Sequence, residues 1–184
     1  MKSIVIRNID DFEKITNDVN EIEFVEYNGI FYFEEDCILS SITFTKMYAE
    51  LSIIPKCINK LCLFDCDVNF DELKNFTSLK HLEITNRKID VSELLCVSSI
   101  EKLSLNYCEI ENINVLKEFS SLKELSLVDT NIDEYDFLID LNSLEKVIIS
   151  DDLYEENKKF FDELYKKGII ICNMMGGSLN EVWW

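Results

Sequence analysis

The feature that most constrains this chain is an internal repeat of about 22 residues. The segments SLKHLEITNRKI (78–89), SIEKLSLNYCEI (99–110), SLKELSLVDTNI (121–132) and SLEKVIISDDLY (143–154) align without gaps. Their first apolar residues, Leu79, Ile100, Leu122 and Leu144, stand at intervals of 21, 22 and 22. Three looser copies precede them, Ile58-Leu61-Leu63, Leu39-Ile42-Phe44 and Val19-Ile22-Phe24, with anchors 21, 19 and 20 residues apart. About seven turns are therefore written in the chain. One such unit cannot bury its own apolar face, but stacked neighbours can, which restricts the fold to a quasi-one-dimensional array.

Counting the anchor as position 1, each copy is apolar at positions 1, 4, 6 and usually 11, the pattern L-x-x-L-x-L-x-x-(N/C)-x-L. Alternation with period 2 predicts a short strand that buries positions 4 and 6 and projects positions 3, 5 and 7 to the opposite face. After position 11 the apolar residues recur every third place, as in Ile110, Ile113, Leu116, Phe119 and Leu122, and again in Ile132, Tyr135, Leu138, Leu141 and Leu144. That spacing predicts a short helical or 3₁₀ return. The pattern resembles the leucine-rich repeat family in its 22-residue, internalin-like class, closely between about 58 and 154 and more loosely before. The resemblance implies an α/β fold: a right-handed solenoid with about seven short parallel strands on the concave side, short helical or 3₁₀ segments on the convex side and a C-terminal capping helix. The expected organisation is one domain, 1–184, with an N-terminal cap over 1–18, repeats over 19–150 and a C-terminal cap and tail over 151–184.

The chain departs from the family at position 9, where an asparagine often holds the turn. That place is filled by Tyr27, Met47, Cys66, Arg87, Cys108, Thr130 and Asp152. Irregular turns are expected in the first two copies and near Arg87. For the caps, Ser3-Ile4-Val5-Ile6-Arg7 predicts an initial strand followed by a short helix at about 10–16. Ser150 or Asp151 is suited to N-cap a helix running to Lys167, with Gly168 just past its end and Ile169-Ile170-Ile171 as a closing strand. The tail through Met174 and Met175 to Trp183 and Trp184 has no repeat register, and the two tryptophans are expected to pack on the last helix.

Composition narrows the function. With 18 Lys and Arg against 36 Asp and Glu, the net charge is −18, so nucleic acid and anionic membrane surfaces repel the chain. Its 4 Gly and 1 Pro leave no glycine-rich phosphate loop, and a single His limits acid-base chemistry near neutral pH. No apolar run reads as a leader or a membrane span, which points to the cytoplasm. The 7 Cys are odd in number, scattered and free of C-x-x-C, which suits reduced core thiols. Neither a metal site nor a cofactor is expected.

Candidate binding residues lie where the strands end. Positions 8 to 10 carry Glu26, Asp65, Asp67, Glu109, Asp129, Asp151 and Asp152 against Lys46, Arg87 and Lys88, beside Phe64, Val128 and Tyr107. Aromatic anchors rimmed by carboxylates suit a basic protein partner, since charge speeds encounter and apolar contact holds it. The charge is −7 over residues 1–36 and −8 over 122–184, with −1 and −2 between, which weights the contacts toward the last turns, including Asp133 and Glu134. Glu83 stands on the sheet face with Cys62 and His81, an arrangement that superficially suggests a nucleophile, base and orienting group but offers no oxyanion donors. No catalytic residue is therefore assigned. The expected function is a non-catalytic protein-protein interaction module that is monomeric when free. In size, acidity and lack of catalytic motifs the chain is similar to acidic inhibitors of the immunity-protein kind, which neutralise a basic protein. A scaffold resembling leucine-rich phosphatase regulators and a self-associating structural repeat protein remain open as alternatives.

Overall fold

The computed structural model describes residues 2–16, 18–29, 31, 33 and 39–179. Its main sheet has nine parallel strands stacked in chain order. They are β1 (Lys2–Ile6), β2 (Val19–Val25), β3 (Ser41–Thr45), β4 (Lys60–Phe64), β5 (His81–Thr85), β6 (Lys102–Ser104), β7 (Glu124–Ser126), β8 (Lys146–Ile148) and β9 (Ile170–Cys172). Seven of these are the repeat strands, and each cap adds one. Register follows the repeat: Leu61 pairs with Leu82, Leu82 with Leu103, Leu103 with Leu125 and Leu125 with Val147. Parallel neighbours require a crossover, and the chain supplies one in each period. The returns over Leu51–Ile53, Phe70–Asn75, Val91–Val97, Ile113–Glu118 and Asp136–Asp140 are all 3₁₀.

The core is the continuous interior between sheet and returns. Positions 1, 4 and 6 of the repeat at Leu79, namely Leu79, Leu82 and Ile84, are at most 1% exposed, and so are Ile100, Leu103 and Leu105 one turn later. Fully burying one such side chain contributes about 1.5–3 kcal/mol, so a period that places three per strand suffices to select this stacking. Aromatic residues do the same work at the N-terminal end, where Phe24 stacks on Phe31 and Phe44 at centroid distances of 4.3 and 5.3 Å.

Every turn at the end of a repeat strand from β2 to β7 uses one device. The residue at position 8 is left-handed in six successive copies: Glu26, Lys46, Asp65, Asn86, Tyr107 and Asp129, with φ between 51° and 58°. The turns at Tyr27, Met47 and Arg87 are therefore regular, contrary to the expectation drawn from position 9. Arg87 fits because its guanidinium reaches out of its own turn, donating to the Cys66 carbonyl at 2.6 Å and lying over the Phe70 ring at 4.8 Å. Cys66 and Cys108 fill position 9 with thiols directed at the Phe64 and Asn106 carbonyls.

The caps match the sequence in outline. A 3₁₀ segment, Ile9–Lys14, stands where a short helix was expected, closed by a capping box between Asn8 and Asp11. Ser150 N-caps the C-terminal helix. That helix is not continuous to Lys167. It divides into α1 (Asp151–Glu156) and α2 (Lys158–Lys166) at Asn157, whose side-chain amide donates to the Leu153 carbonyl at 3.2 Å. The break coincides with the Asn157 backbone, which leaves helical geometry at φ −115° and ψ 23° while its own N–H still bonds the Leu153 carbonyl. Gly168, at φ 95°, ends α2 as expected, with the Gly168 N–H on the Tyr165 carbonyl and the Ile169 N–H on that of Leu164. Beyond β9 the chain turns back: Gly176 adopts φ 79°, Ser178 bridges Cys172 antiparallel, and the Leu179 N–H donates to the Ile171 carbonyl. The tail thus covers the last edge of the sheet, which answers the liability of an open edge strand. Trp183 and Trp184 lie outside the described residues.

Candidate interaction surface

The repeat places rows of side chains on the concave face. Position 3 aligns Lys60, His81, Lys102, Glu124 and Lys146; position 5 aligns Cys62, Glu83, Ser104, Ser126 and Ile148. The first row is partly paired, with Glu124 3.2 Å from Lys102 and 3.7 Å from Lys146, and three lysines against one glutamate leave it cationic. One residue earlier, Glu101 sits between Lys80 and Lys123 at 3.4 and 2.9 Å. Burial lowers the His81 pKa, with Lys60 and Lys102 adding to the effect, so the imidazole is neutral at pH 7.

The turns present the acidic residues. Asp65, Asp67, Glu109, Asp129, Asp133, Glu134, Asp151 and Asp152 are all exposed. Glu26 and Glu109 face Lys46 and Lys88 at 3.9 and 3.2 Å, whereas Asp65, Asp67, Asp129, Asp133, Glu134, Asp151 and Asp152 have no cationic side chain within 4 Å among the described residues, and five of these seven lie in the last turns. Asp129 and Asp151 occupy the same position in consecutive turns, and neighbouring strands are about 4.8 Å apart. Like charges so arranged repel one another and favour an external cation.

Not every predicted member of this surface is available. Val128 is only 3% exposed. The tail reaches Tyr107, whose hydroxyl donates to Met174 Sδ at 3.3 Å across two intervening repeats. Asn173 anchors the same segment by donating to the Asp151 carboxylate at 3.1 Å. Phe64 is half-buried, Tyr107 is exposed, and Met174 is an exposed apolar residue beside it that the repeat pattern gave no means of finding.

The Cys62, His81 and Glu83 group does not make a nucleophilic site. The Cys62 thiol lies 3.6 Å from a Glu83 carboxylate oxygen, and burial, reinforced by that carboxylate, pushes its pKa up to about 12. Such a thiol stays protonated, and the thiolate is the nucleophile. No group of three or more His, Cys, Asp or Glu side chains converges as a metal site among the described residues. No helix there is long and apolar enough to cross a membrane.

Neither a family model nor a curated protein matches this sequence. Solved structures do match in fold. An internalin C2 from Listeria monocytogenes superposes with a TM-score of 0.55 at 18% identity over 78% of this chain and 66% of that one. A second internalin of that organism, inlF, gives 0.60 at 17% identity over 94% of this chain and 55% of its own. The chain thus spans between about half and two thirds of the length of these internalins. At this identity the likeness concerns the fold, and it agrees with the periodic sheet and 3₁₀ returns: the architecture is an α/β leucine-rich-repeat solenoid.

Proposed function

We propose that this leucine-rich-repeat solenoid is a non-catalytic protein-interaction module that binds a basic protein and neutralises it, in the manner of an acidic inhibitor or immunity protein. The observation that carries the reading is the set of exposed carboxylates at Asp129, Asp133, Glu134, Asp151 and Asp152, none with an internal cation among the described residues. A basic partner would supply the missing charge, and Phe64, Tyr107 and Met174 offer apolar contact on the same edge. Asp65, Asp67 and Glu109 extend the proposed surface toward the earlier turns, and Glu83 extends it onto the sheet face. Val128 is left out because it is buried.

The free module is monomeric in this reading. A cytoplasmic setting also belongs to it: Cys57, Cys62, Cys66, Cys96, Cys108 and Cys172 are all free thiols, which fits a reducing compartment. The test is capture from the source cell with the wild-type chain and with an Asp129→Lys, Asp151→Lys, Asp152→Lys variant, each at low and high salt. A basic protein retained by wild type alone, and only at low salt, supports the reading. Equal retention by both baits at both salts rejects it.

A further inference from the structure

We propose that the centre of the concave sheet receives a lysine or arginine side chain of the bound partner, with the Glu83 carboxylate as counter-charge and the Ser104 hydroxyl as a second acceptor. This rests on reading the chain as a protein-binding module, and it adds a subsite distinct from the acidic turns. In register, Glu83 of β5 stands between Cys62 of β4 and Ser104 of β6.

Two independent observations mark the place. Glu83 is a half-buried carboxylate with no cationic nitrogen within 4 Å among the described residues. Among the described residues its side chain receives only the Cys62 thiol at 3.6 Å, and a thiol is a weak donor. Ser104 is 8% exposed, and its Oγ has no hydrogen-bond partner among the described residues. A buried hydroxyl left unpaired carries its full desolvation penalty, and such atoms are rare in folded proteins.

The neighbours sharpen the chemistry. On the other side of Ser104, Ser126 already donates to Asn106 Oδ1 at 2.8 Å, so the row's unused accepting capacity is concentrated at Glu83 and Ser104. The half-buried Phe64 ring stands one strand away, paired in register with Thr85. A carboxylate, a hydroxyl oxygen and an aromatic face together suit a cationic group with several N–H donors. Nearby cations do not fill the role: Lys102 is held by Glu124, Lys60 of the neighbouring strand makes no ion pair within 4 Å among the described residues, and burial holds the His81 pKa below its ordinary 6.5.

The test is an NMR titration of the labelled full chain with millimolar N-acetyl-arginine amide, using N-acetyl-glutamine amide as the neutral control. Saturable shifts of the Glu83 carboxyl and Ser104 amide signals with the arginine probe alone are expected. Glu83→Gln should weaken that response about tenfold, and Ser104→Ala about threefold. The serine variant separates a binding role from a structural one: its urea midpoint should not fall, because only an unpartnered hydroxyl is lost. A lower midpoint with an unchanged titration overturns the proposal. So does an identical response in a folded Glu83→Gln protein, or a response confined to Asp129, Asp151 and Asp152. That last outcome would leave the acidic-turn reading standing. A Glu83 response kept in the triple-lysine variant, together with no selective capture of a basic protein, would separate the two the other way.

Discussion

Asn106 binds the backbone of the next repeat: its Oδ1 accepts the Val128 N–H at 2.9 Å as well as the Ser126 hydroxyl at 2.8 Å. It is 7% exposed and stands at position 7, so a buried amide on the strand end ties two turns together in a chain whose position 9 has no asparagine. Asn106→Ala would leave the Val128 N–H and the Ser126 hydroxyl without their acceptor. The expected loss is about 2–3 kcal/mol of unfolding free energy by urea titration. A change below about 0.5 kcal/mol would show that water replaces the amide at little cost.

Arg87 makes a comparable tie by a different route. Its bond to the Cys66 carbonyl and its place over Phe70 both depend on a planar guanidinium. Arg87→Lys should therefore cost about 1 kcal/mol although the charge is kept, and Arg87→Ala somewhat more. Equal stability of the arginine and lysine proteins would contradict the geometry.

Acid should loosen the N-terminal cap. The Asp11 carboxyl accepts from Lys14 and from the Arg7 and Asn8 N–H groups, which hold its pKa down to about 2 against an ordinary 3.8. A group whose folded pKa is depressed contributes stability above its unfolded pKa and loses it as pH falls toward the folded value. Stability should decline between pH 4 and pH 2, and Asp11→Asn should remove part of that slope while lowering stability at pH 6. Urea midpoints of both proteins across this range check it; parallel curves would refute the cap's contribution.

Thiol reactivity reports the packing of position 5 and position 9. In a Cys37→Ser background, a thiol reagent at pH 7.5 should label Cys57 and Cys96, which are exposed, while Cys62, Cys66, Cys108 and Cys172 react only on unfolding. Cys62, with its pKa at about 12, should be among the slowest. Labelling of native Cys62 as fast as Cys57 would remove the ground for rejecting it as a nucleophile.

Much of this architecture is legible because the period is a physical constraint. Leu79, Leu82 and Ile84 each become buried at a place the spacing dictates, and the same register then locates Glu83 and Ser104 on the opposite face. The left-handed position 8 was not legible, because Glu26, Lys46 and Tyr107 adopt it where a glycine would have advertised it. Side chains that act on another turn were also hidden: Arg87 reaching Cys66, and Tyr107 reaching Met174 across two turns. Val128 looked exposed because its position faces outward, yet position 7 is packed in neighbouring repeats as well, with Thr85 and Asn106 at 9% and 7% exposure beside its 3%. The capping helix breaks at Asn157, whose backbone turns to φ −115° and ψ 23°, a local departure that apolar spacing does not encode.

In the proposed function, the carboxylates of the last turns draw in a basic partner and strengthen its binding at low salt, while the apolar contacts hold it. The most direct test is the affinity of the recovered partner for wild type and for the Asp129→Lys, Asp151→Lys, Asp152→Lys variant, measured from about 50 to 500 mM salt, a range over which the Debye length falls severalfold. Wild-type affinity should be the higher at low salt and fall steeply, while the variant binds weakly with a shallow dependence. Matching affinities with matching salt dependence would contradict the account and move the binding surface away from these turns.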